Sequence, residues 1–325
     1  MKLYPLLIIS LSTLLLSCSD ENKRLDPTGR DRNWFILEDS PDELDHLRYE
    51  IFRETGIAIF YSDTLGSQDR GVNNYGDKVV HHEILNPSYV ITSEANTLFY
   101  SFFSHRDAIK NGVMFLKEYV IPELTPALYP RSYLLVEKLV LNAHITIARG
   151  RRDGDVYKGL MTTIVNTGTL ATLTTEERKQ LGYAIAGPEW YNYLTKHRSS
   201  ELNRFYDISE NSVNLANSTL TTVYDQVTNT NTGAFLPQTS SWYEFGFLNY
   251  DPDDIGQMEM FMVDGKFTRW YSPTKQQDVE AFVAATLMYN ESEFYELYKG
   301  EVGVEHLVAK YRILKEVMDG VKNNR

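Results

Sequence analysis

Seven histidines, one cysteine and 44 acidic side chains are the residues with which this chain could do hydrolytic or metal chemistry. The histidines are His46, His81, His82, His105, His144, His197 and His306, and no two of them lie four apart. No helix can therefore present two imidazoles on one face, the arrangement a zinc-binding helix needs. His81, His82 and Glu83 are adjacent, but neighbouring side chains of a strand point to opposite faces, so the run is expected at a solvated strand end. Nucleophile elbows, P-loops and dinucleotide fingerprints are all missing from the sequence. Carboxylates crowd at Asp251, Asp253 and Asp254 and again at Glu291 and Glu293, and both groups are expected in solvated loops. The lone cysteine, Cys18, excludes an internal disulfide framework and a cysteine-rich zinc module.

The setting of Cys18 gives it another use. Lys2 supplies a positive start, Leu6 to Leu16 is apolar but too short to span a membrane, and Leu15-Leu16-Ser17 leads into the cysteine. The segment resembles a bacterial lipoprotein signal. That resemblance implies cleavage after residue 17, thioether lipidation of Cys18 and acylation of the new amine, several chains being needed for stable anchoring in a lipid bilayer. Ser19-Asp20-Glu21-Asn22-Lys23 resembles the export signal of Bacteroidetes surface lipoproteins, which implies an outer-membrane, cell-surface location. Residues 18–31, with Pro27 and Gly29, are expected to be a flexible tether, leaving 32–325 as the folded part, with halves at 32–170 and 171–325. A net charge of −12 argues against nucleic acid, which selects a Lys/Arg surplus. Apolar residues make up 42% of the chain, enough to bury a core.

The elements that must position any site follow from periodicity. Ser40-Pro41-Asp42-Glu43 predicts a helix start capped by Ser40, with Leu44, Leu47, Ile51 and Phe52 on one face and Gly56 as the stop. Ile57 to Tyr61 predicts a strand, with weaker strands at Val79–Val80 and Tyr89 to Ile91. A second helix opens at Ser104 and ends by Pro122. Tyr133 to Leu141, Ala143 to Ala148 and Leu160 to Val165 read as sheet strands. The pattern turns helical at Thr174, and two amphipathic helices are expected near 275–289 and 301–321, the last with Leu307, Tyr311 and Leu314 inward. Residues 210–250 carry no periodic signal. The whole predicts an α+β fold, a mixed sheet with N-terminal helices and a helical C-terminal half.

The order of Gly159 to Asn166, Leu181 to Leu194, Ser241-Trp242-Tyr243-Glu244-Phe245-Gly246-Phe247 and Gln277 to Phe282, followed by the closing helix, resembles the substrate import-associated zinc metallohydrolase lipoproteins of Bacteroidetes. The resemblance implies a metallopeptidase-like fold and a SusC/SusD-like import complex as partner. The family's H-E-x-x-H helix falls on Pro188-Glu189-Trp190-Tyr191-Asn192, with Pro188 and Asn192 at the histidine positions and Glu189 at that of the general base. A downstream acidic segment falls on Gln277 to Ala281 and keeps only Asp278. Proline offers zinc no donor and an asparagine oxygen is a weak one. No metal or other cofactor is expected, and Gly187-Pro188 is expected to interrupt the helix. The resemblance then implies a non-catalytic accessory that binds peptide or glycan, or stabilises the transporter complex, with Trp190, Tyr191, Tyr193 and Trp242 as ligand-facing aromatics. The alternative is an active metal-dependent hydrolase with atypical zinc ligands and Glu189 as base.

Overall fold

Asp42, rather than Ser40, starts the first helix of the computed structural model. Its carboxylate accepts from the N–H groups of Leu44 and Asp45, each at 3.1 Å, and α1 runs Glu43–Thr55 to a left-handed Gly56 with φ 76°. An aspartate satisfies two of the helix's orphan donors, which outweighs the proline-first pattern that pointed to Ser40. The structure describes residues 32–87, 98–142, 151–212, 224, 235–237, 242–248, 262–263, 266–267, 269–271 and 273–323. Cys18 with its signal and tether, the Tyr89 to Ile91 and Ala143 to Ala148 runs, and Asp251, Asp253 and Asp254 lie outside them. Phe35–Arg325 forms a unit separate from Met1–Trp34.

The fold is α+β. Strands β1 (Ala58–Phe60), β2 (Thr64–Val72), β3 (Lys78–Ile84) and β4 (Leu98–Ser101) precede α2 (Arg106–Phe115), which continues through a π turn at Leu116–Val120. Then come β5 (Ser132–Val136), β6 (Lys138–Asn142), β7 (Arg151–Asp153), β8 (Val156–Lys158) and β9 (Thr163–Asn166). The central sheet has the order β1-β5-β9-β8, parallel except for the antiparallel edge strand β8. Its two faces alternate along each strand: Ile59, Tyr133, Leu135 and Val165 join the core under α1 and α2, while Ala58, Phe60, Leu134, Val136 and Ile164 join a second core on the other side. Burial on both faces explains the unbroken apolar runs. β2 and β3 form a hairpin, and β4-β6-β7 a small antiparallel sheet.

The expected single strand from Tyr133 to Leu141 is two strands in different sheets, broken at Glu137. The Glu137 N–H donates to Ser101 O at 2.9 Å, and Gly168 lies so close that a Cβ there would sit 1.9 Å from Glu137 O. Crowding by another backbone, which periodicity does not encode, makes the break.

The second half is helical: α3 (Thr175–His197), α4 (Ser199–Ser212), α5 (Lys275–Met288), α6 (Glu291–Tyr298) and α7 (Val304–Asn323). α3 is unbroken, contrary to the expected interruption at Gly187-Pro188. An interior proline costs about 3 kcal/mol. Burial of Leu181, Ile185, Trp190 and Leu194 along the same helix stabilises it by roughly 1.5–3 kcal/mol each, which is enough to offset that. Glu291 and Glu293 are likewise not in a loop. Asn290 caps α6, and its side chain and that of Glu293 each take the other's backbone N–H, at 3.0 and 2.9 Å. α3 joins two cores. Leu181 and Ile185 pack on the sheet, while Ala186, Trp190 and Leu194 enter a helical core with Phe205, Val279, Phe282, Phe294, Leu307 and Tyr311.

Candidate functional site

Glu189 lies where α3 passes from one core to the other. Thr174 starts this helix through a reciprocal capping box with Glu177, and the helix then crosses the face of the central sheet that carries Tyr133. Strand register sets what Glu189 meets there. Tyr133 pairs with Thr163 across β5 and β9, and Thr163 pairs with Lys158 across β9 and β8, so the three form one cross-strand row. Thr163 Oγ1 donates to Glu189 Oε1 at 2.6 Å, and Lys158 Nζ donates to Oε2 at 2.5 Å. Glu189 is 2% exposed, and the Lys158 side chain, at the sheet edge, 24%. Among the described residues, the buried Tyr133 hydroxyl has no hydrogen-bond partner. Burial, and secondarily the Glu189 charge, hold its pKa well above the usual phenol value.

A carboxylate in this state can do little acid–base work. A general base needs a lone pair within reach of the proton it abstracts, and both oxygens here are engaged by donors from the sheet. The flanking positions give no metal ligand: Pro188 is buried and Asn192 half-buried. Among the described residues, no three His, Cys, Asp or Glu side chains are grouped so as to hold a metal ion. The residues at this helix do not fit zinc.

Asp278 is also held by a lysine. It is fully buried on α5 and accepts from Lys310 Nζ of α7 at 2.6 Å and from the Tyr224 hydroxyl. Lys310 also donates to Ser209 Oγ at 2.7 Å and to the Gly246 carbonyl at 2.9 Å, inside a ring of Phe205, Phe247 and Phe282. Desolvation brings the Lys310 ammonium down to about 8 against the pull of Asp278, and burial raises Asp278. The other Asp278 oxygen, Oδ1, has no hydrogen-bond partner among the described residues. Apolar spacing assigns the inner face of α7 to residues such as Leu307, Tyr311 and Leu314 and leaves Lys310 out of it. The available signal was its position, three after Leu307 and four before Leu314, on the apolar stripe itself.

Between these pairs, the stem of Glu280 lies on Gly187 of α3, where a Cβ would be 3.3 Å from Glu280 Cβ and Cγ. Gln276 donates to its carboxylate at 2.8 Å, and loss of water raises it to about 7 although the residue is only half-buried.

The aromatic residues part company. Trp190, expected to face a ligand, is fully buried and donates from Nε1 to Glu123 O at 3.2 Å. It is a core anchor because helix rotation turns position 190 onto the helical core. Tyr191 and Tyr193 are half-buried on the edge of that core, and the Tyr193 ring lies 4.7 Å from that of His197. Trp242 begins a 3-10 turn, Trp242–Phe245, and its side chain lies outside the described residues. His81 Nε2 meets Glu83 at 3.0 Å on one face of β3, and His82 is exposed. No protein-family model, curated protein or solved structure matches the chain.

Proposed function

We propose that the chain is a non-catalytic relative of the zinc metallohydrolase lipoproteins, with a metallopeptidase-like fold. It would act as a surface lipoprotein, anchored in the outer membrane through Cys18, that serves a SusC/SusD-like nutrient importer. One observation carries the non-catalytic part. Both carboxylates that the resemblance places in the metal site, Glu189 and Asp278, are buried and paired with lysines, Lys158 and Lys310. A lysine at each carboxylate compensates its charge inside the protein, so neither acid needs a metal ion beside it to stay ionised there. Neither acid is then free to activate water. The lipoprotein part rests on the Cys18 segment and the acidic residues behind it, and the importer part on the resemblance carried by Gly159 to Asn166, Leu181 to Leu194, Ser241 to Phe247 and Gln277 to Phe282.

The ligand is a peptide or glycan held by half-buried aromatics, Tyr191 and Tyr193, whose rings have an apolar body and a polar tip. The full-length chain should purify without stoichiometric zinc, hydrolyse no peptide, and co-purify with a SusC/SusD-like pair. Ligand binding should survive chelator and weaken in Tyr193→Ala. Tightly bound zinc, together with hydrolysis lost in Glu189→Gln, would establish the active hydrolase instead. Absence of any importer partner would remove the accessory role, and absence of any ligand would leave a structural role in the complex.

A further inference from the structure

Replacing Pro188 and Asn192 with histidine would supply two imidazoles four apart on α3, the minimum a helix needs to hold zinc. The surroundings of Glu189 say that this would not suffice. Tyr133, Thr163 and Lys158 stand in one row across three strands, on the face that α3 covers, and the last two take both Glu189 oxygens. The ammonium at the end of the row sits 2.5 Å from Oε2. We infer that Lys158 is an internal counter-cation, which takes the electrostatic place of a divalent ion at Glu189 and excludes one.

The inference deepens the reading of α3 as the counterpart of a metal-binding helix and rests on it. It adds that the site is closed by a gained residue as well as by lost ligands. A divalent ion beside Glu189 would meet the ammonium a few ångströms away, next to a carboxylate only 2% exposed to screening water, and the like charges would repel strongly. With no ion bound, withdrawal of Lys158 would leave Glu189, 2% exposed, charged and unpaired, so the lysine holds its place before any ion arrives. Thr163 contributes a neutral hydroxyl and cannot balance that charge. The same lysine stands on the edge strand of the sheet, with its side chain 24% exposed beside a carboxylate that is 2% exposed.

The test titrates zinc alone into two variants of the full-length chain, P188H/N192H and P188H/N192H/K158M, by calorimetry with metal content read after dialysis. The triple variant should bind at least about tenfold more tightly than the double. Equal zinc affinity in the two would overturn the role of Lys158 and leave the reading of α3 standing. If neither binds while both unfold cooperatively with wild-type helicity, the inference and that reading fall together. Histidine at buried position 188 could prevent folding, and the native background then decides. Lys158→Met and Glu189→Gln, singly and combined, should show coupling of at least about tenfold in the unfolding equilibrium. Additive effects would refute the pairing on which the inference depends.

Discussion

Glu280→Gln should flatten the pH dependence of stability, and the size of the effect can be worked from the site. Glu280 lies on Gly187 with Gln276 as its hydrogen-bond donor, and desolvation raises its carboxyl from 4.5 to about 7. Between those values the folded chain holds the proton and the unfolded chain has released it. Stability contributed by this group is therefore fully present below pH 4.5 and lost as pH rises through 7. A gap of about 2.5 pH units corresponds to at most about 3.4 kcal/mol, at 1.36 kcal/mol per unit. Partial exposure of the side chain reduces that to about 1–3 kcal/mol. The assay is urea unfolding at intervals from pH 4 to pH 8 for both proteins. Other carboxylates contribute slopes of their own, so the quantity to read is the difference between the variants. The wild type should lose about 1–3 kcal/mol more than Glu280→Gln between pH 4.5 and 7.5. Parallel curves, or a difference of the opposite sign, would refute the claim that this carboxyl is desolvated between α3 and α5.

Lys310→Met should cost about 3–5 kcal/mol by leaving Asp278 charged and unpaired in the helical core, and adding Asp278→Leu should restore most of the loss in chemical denaturation. Trp190→Ala should cost about 3–5 kcal/mol through the cavity it leaves, measured the same way, whereas a ligand-facing tryptophan would cost binding and little stability. Gly303→Ala should destabilise by about 1–3 kcal/mol or more in thermal unfolding, since φ is 88° there and a Cβ would lie 2.2 Å from Tyr243 O. Asn290→Ala should remove the α6 cap at a cost of about 0.5–2 kcal/mol, with a matching loss of hydrogen-exchange protection in Glu291–Tyr298.

Much of the element order was legible because its causes are local. Thr174 with Glu177 three residues on marks the start of α3, and Gly56 marks the end of α1, through hydrogen bonds and backbone angles set within one turn. The inner face of α7 follows from Leu307, Tyr311 and Leu314 at helical spacing. The misreadings share the opposite character. Pro188 signals a break by local rules, yet α3 continues because distant side chains bury it on both cores. The strand break at Glu137 depends on Gly168, thirty-one positions further along. α6 is not legible in the sequence because two glutamates beside an asparagine have the composition of a solvated loop, and only the reciprocal Asn290–Glu293 capping bonds distinguish the two.

The same division runs through the candidate site. Residue types alone determined that positions 188 and 192 offer no imidazole, and that no pair of histidines could share a helix face anywhere in the chain. They could not determine what became of the carboxylates left behind. Lys158 reaches Glu189 only because β8 is the antiparallel edge strand in register with Thr163 under α3. Lys310 reaches Asp278 only because α5 and α7 pack in one helical core. Each pair joins residues more than thirty positions apart on different elements. Charge pairing in a dry interior depends on distances of a few ångströms, and strand register and helix packing set those distances.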